Sequence, residues 1–90
     1  MTEAQRQRDL NSAKQETRDA RHKLKFAQKN LSAAEEALAT LDPITTTDSA
    51  MREARRNVKF AMKDVSRALS ALEASKERED NTREDFQKAM

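Results

Sequence analysis

Leu41-Asp42-Pro43-Ile44-Thr45-Thr46-Thr47-Asp48 separates two long runs of helix-favouring sequence, and its reading decides the fold. Pro43 has no backbone N–H to continue a helix and pushes Asp42 toward extended conformation, so the helix before it must stop near Leu41. Thr46, Thr47 and Asp48 each suit the N-cap of a following helix, and Asp48 near its start also favours the positive end of the helix dipole. The residues between are too few for anything but a tight reversal.

Before the interruption, Leu10, Ala13, Thr17, Ala20, Leu24, Ala27, Leu31, Ala34, Leu38 and Leu41 recur at alternating steps of three and four, a heptad seam. After it, the spacing restarts with Met51, Ala54, Val58, Ala61, Val65, Ala68, Leu72 and Ser75, and continues through Glu79, Thr82, Phe86 and Ala89. Two long helices on a short connection pack as antiparallel neighbours. The predicted fold is therefore all-α, an antiparallel two-helix coiled-coil hairpin with an Ala-rich heptad seam. Residues 1–90 form one unit, with a helix over about 3–41, a turn over 42–47 and a helix over about 48–90.

A turn centred on Thr46 makes facing residues sum to 92, which sets Leu38 against Ala54, Ala34 against Val58, Leu31 against Ala61, Ala27 against Val65 and Leu24 against Ala68. A large side chain meets a small one at each layer, an arrangement that interdigitates without voids. Farther from the turn, Thr17 faces Ser75, Ala13 faces Glu79 and Leu10 faces Thr82. This more polar seam predicts a firm turn end and an open end that frays or splays. The chain finishes at Gln87-Lys88-Ala89-Met90 in mid-pattern, which reads as a segment of a longer protein.

Composition limits the function classes. The chain has 90 residues, 38% charged and 36% hydrophobic, with no Gly, no Cys and a single Pro, so a thick core is out of reach. No apolar run approaches the ~20 residues that span a bilayer, and the start lacks a signal-peptide layout; the reading is of a soluble chain. His22, the only His, reads as an exposed helix residue, and with no Cys or second His it offers neither a metal site nor a nucleophile–base pair. The expectation is no enzyme activity, no catalytic residues, no metal, no cofactor and no small-molecule substrate.

Net charge is +2, but Arg18, Arg21, Lys23, Lys25 and Lys29 with Arg52, Arg55, Arg56, Lys59 and Lys63 gather in the half nearer the turn. Such a zone serves solubility or meets an acidic partner; neither base-reading motif nor stacking aromatics accompany it, so a nucleic-acid reading ranks last. Ala20 to Ala27 and Ala54 to Ala61 echo each other at an offset of 34, bringing Phe26 and Phe60 to equivalent places just off the seam. They either pad its edges or, with Ala33, Ala37 and Leu69, form a flank for another helix. Ile44 either folds over Leu41 or Met51 or stands exposed at the tip as a recognition residue.

Leu24 to Ala34, the apical Asp42-Pro43, and a returning arm with Ala68-Leu69-Ser70-Ala71-Leu72-Glu73 and Lys76-Glu77-Arg78-Glu79-Asp80 together resemble the receptor-binding hairpin of colicin-type bacteriocins, especially group E nuclease colicins. The resemblance spans about residues 10 to 85, and the apex here is shorter and free of glycine. It implies a secreted, extracellular role at the target-cell surface, with the tip engaging an outer-membrane transporter such as the cobalamin receptor of a Gram-negative cell. Receptor contacts would fall on Asp42, Pro43, Ile44, Thr45, Thr46, Thr47, Asp48, Met51 and Arg55, with Leu38 and Leu41 nearby. A monomer is favoured over a dimer, and a stable dimer or four-helix bundle would mark the competing reading. The competing expectation is a structural or assembly hairpin, such as a secretion-stalk or phage component, acting through protein–protein contacts along its flanks.

Overall fold

The structure is a computed structural model describing residues 2–88. Two helices, α1 over Glu3–Ala39 and α2 over Asp48–Lys88, pack along their lengths as a hairpin measuring 68 × 13 × 13 Å. The radius of gyration is 20.1 Å, where a compact chain of this length would have about 12 Å. Its surface is 7065 Å², against about 5,400 Å² for a compact chain of the same mass. The seam is thus the whole of the core, as the expected Ala-rich coiled coil requires.

Local signals explain both helix ends near the turn. α1 stops at Ala39, two residues before the expected limit, because its last turn tightens: Leu41 N–H reaches the Leu38 carbonyl at 3.3 Å and the Thr40 hydroxyl donates to the Ala37 carbonyl at 3.1 Å. Thr47 proves to be the cap of α2, its hydroxyl accepting the Ala50 N–H at 3.2 Å and its carbonyl the Met51 N–H at 3.0 Å. At the far end Thr2 and Gln5 form a capping box, each side chain accepting the other's backbone N–H. The expected limit of α2 at residue 90 falls outside the described residues, as does the seam position Ala89.

Register agrees with the sequence. The Thr17 hydroxyl, only 2% exposed, lies 3.3 Å from the Ser75 carbonyl across the seam and 3.1 Å from the Ala13 carbonyl on its own helix. Thr17 and Ser75 are the layer partners that the sum of 92 predicts.

The gradient of packing runs the other way from expectation. On α1, Leu10, Ala13, Thr17 and Ala20 toward the open end are buried, as are Leu72 of α2 and, at mid-rod, Ala27 and Ala61; Leu31, Leu38, Leu41, Met51 and Val58 nearer the turn are only half-buried, as are Ser75, Glu79, Thr82 and Phe86 on the open-end half of α2. The flanking residues differ between the two halves. At the open end long side chains lie over the seam: Glu79, facing Ala13 and 16% exposed, takes a hydrogen bond from Arg83, and Arg78 pairs with Glu16 across the helices. Their aliphatic stems exclude water from small layers beneath. Toward the turn, the same flank carries shorter residues such as Ala37 and Asn57, beside leucines that are half-buried. The polar seam is sealed, not splayed.

Candidate functional site

The apex is built without any residue at positive φ, which is how a chain lacking glycine can turn there. Asp42 does most of the construction. Its carboxylate accepts the Ile44 N–H at 2.9 Å, and its carbonyl accepts the Thr46 N–H at 2.9 Å, closing one isolated helical turn between the two helices. Pro43 fixes the backbone inside that turn. Thr47 then starts α2 as described, with Asp48 in its first turn.

Ile44 is 91% exposed, which decides between the two expectations for it: it does not fold over Leu41 or Met51. An apolar side chain therefore stands at the extremity of the rod on a backbone held by its neighbours. Pro43, Thr45, Thr47 and Asp48 are exposed around it, while Thr46 is half-buried. Met51 is half-buried in the seam and contributes to the base of the apex more than to its surface. Arg55 is exposed on α2 and shares a shallow groove with Arg52, Arg56 and Lys59. Among the described residues these four cations form no salt bridge; the two pairs present, Arg78–Glu16 and Arg83–Glu79, are both at the open end. Of the nine expected contact residues, the structure gathers seven in the apex and sets Met51 and Arg55 behind it.

A second feature lies along the rod. Phe26 (66% exposed) overhangs a groove of about 770 Å³ floored by Ala27, Ala68 and Ala71 and rimmed by Lys23, Asp64 and Arg67. Phe26 thus stands out from the seam rather than sealing it. The Glu16–Arg78 pair marks the same side of the hairpin, and helical periodicity adds Ala33, Ala37 and Phe60 to it. Phe60 is 54% exposed with the Lys63 ammonium 5.9 Å from its ring centroid. Leu69 does not belong to this flank; periodicity puts it with exposed Met62 on the opposite one. Met62 gave no signal in the sequence beyond its place one step outside the seam.

His22 is exposed at the edge of the groove. Among the described residues no cluster of three or more His, Asp or Glu could hold a metal ion, and no helix is long and apolar enough to cross a membrane. No protein-family model, no curated protein and no solved structure matches this chain.

Proposed function

We propose that the chain is the receptor-binding hairpin of a colicin-like bacteriocin, acting outside the producing cell and holding its tip against an outer-membrane transporter of a Gram-negative target. It binds; it does not catalyse. The observation that carries the reading is Ile44, 91% exposed at the end of a 68 Å rod, on a turn whose own hydrogen bonds hold it in place. A preformed turn loses little conformational freedom on docking, and an exposed apolar residue at its centre is the kind of anchor that fills a pocket on a partner. The rod supports the same reading, because it separates the tip from anything attached at the open end.

The test is competition at the cell surface. The chain should protect sensitive bacteria from a colicin that uses the same transporter, and Ile44→Asp should weaken binding by roughly 10-fold or more, as loss of a central apolar anchor does. Replacing residues 43–47 with a neutral turn should abolish it. If the turn-replaced chain protects as well as the parent, the reading fails.

The assembly reading draws on a separate observation, the exposed Phe26 and Phe60 on one flank. It predicts that the tip variants change nothing and that flank variants do.

A further inference from the structure

The Phe26–Phe60 flank has a symmetry that the tip reading does not use. Residues 34 apart in the internal echo are equivalent, and residues summing to 92 are opposite; both conditions are met at Lys29 and Lys63. An approximate two-fold axis therefore crosses the seam at that level, normal to the flank. It exchanges Phe26 with Phe60, which sit about 9 Å apart along the rod, since Phe60 lies opposite position 32.

From this we infer that the flank is the docking face for a second copy of the chain, giving a four-helix antiparallel dimer. Three observations choose that occupant. The surface holds both halves of a contact, two projecting rings and a floor of Ala27, Ala68 and Ala71, so a facing copy brings large side chains onto small ones as the seam itself does. Its rim carries both signs of charge, Lys23 and Arg67 with Asp64, so a copy does not meet a like-charged wall. Its size is sufficient: with the apex left out, the 37 residues of α1 give a face of about 55 by 13 Å, roughly 700 Å², and standard interfaces take about 600–1,000 Å² from each partner. An isologous two-fold contact between antiparallel hairpins covers this flank on both copies and closes on itself. The apex stays outside the contact, so the dimer stands or falls independently of transporter binding.

Sedimentation equilibrium of the full chain from micromolar to millimolar concentration tests this. The expected result is a species of twice the 10.3 kDa chain mass, with Phe26→Ser/Phe60→Ser weakening association roughly 100-fold while helicity by circular dichroism is retained. Met62→Ser/Leu69→Ser on the opposite flank and Ile44→Asp at the tip should leave the dimer intact. Should the double Phe variant lose helicity, Ala71→Arg, an exposed position at the groove floor, supplies the same disruption by steric and charge conflict. A parent chain that remains monomeric at millimolar concentration overturns the inference. So does a dimer that survives both groove variants, or one that the opposite-flank variant dissolves.

Discussion

Thr17 places a hydroxyl in one of the most buried parts of the seam, where it has two carbonyls within reach. Both carbonyls sit inside helices and keep their backbone partners, so the hydroxyl is the only group that depends on the arrangement. Thr17→Val keeps the shape and removes the donor without stranding an acceptor; urea unfolding should show a change within about 1 kcal/mol. Thr17→Asp buries a charge with no cation against it and should cost about 3 kcal/mol or more. At the apex the division of labour is sharper. Asp42 and Thr47 spend their polar groups on the backbone, whereas Ile44 makes no local use of its side chain. Thr47→Ala should lower unfolding stability by about 1 kcal/mol through the lost cap. Ile44→Asp should instead leave unfolding stability nearly unchanged and weaken partner binding.

The helices and their turn were legible because heptad spacing, a proline and a run of capping residues are local signals. Thr17 facing Ser75 follows from the position of the turn alone. Three things did not follow. The direction of Ile44 depends on how the Asp42 carboxylate ties the turn, and the early stop of α1 on the Thr40 hydroxyl; neither bond is a pattern in sequence. The burial gradient depends on stems lying over layers, so counting Leu against Ala at the layers themselves pointed the wrong way. The Thr2–Gln5 capping box, by contrast, is a local pattern that Thr2-Glu3-Ala4-Gln5 carries in full. The inverted gradient is measurable: Leu72→Ala, buried toward the open end, should cost about 2–3 kcal/mol, and Leu38→Ala, half-buried near the turn, roughly half as much. The Glu16–Arg78 pair is about half exposed on both sides, so its charge contributes less than about 1 kcal/mol and fades with salt.

As a whole the molecule is a rod with distinct ends and distinct sides. Small-angle scattering at low concentration should give a radius of gyration near the 20.1 Å of the hairpin, and a label pair at Leu31 and Ala61 should read as close neighbours within one chain. A side-by-side antiparallel dimer with both apices projecting thickens this rod far more than it lengthens it, so the longest dimension should rise only modestly above 68 Å as concentration rises. An intermolecular, parallel arrangement of the arms would instead roughly double the length, since each helix pair would then extend past the turn.

Because α1 begins and α2 finishes at the same end of the rod, tension applied through the two arms peels the hairpin apart layer by layer. Past the half-buried layer of Arg6 and Phe86, the load meets Leu10, Ala13 and Thr17, among the best-covered residues of the molecule. Behind them burial persists through Ala20 with Leu72 and then Ala27 and Ala61, and falls off in the layers nearest the turn, so once this stretch gives way the arms should part in a rip that runs to the apex. The hairpin behaves as a clasp fastened at its mouth.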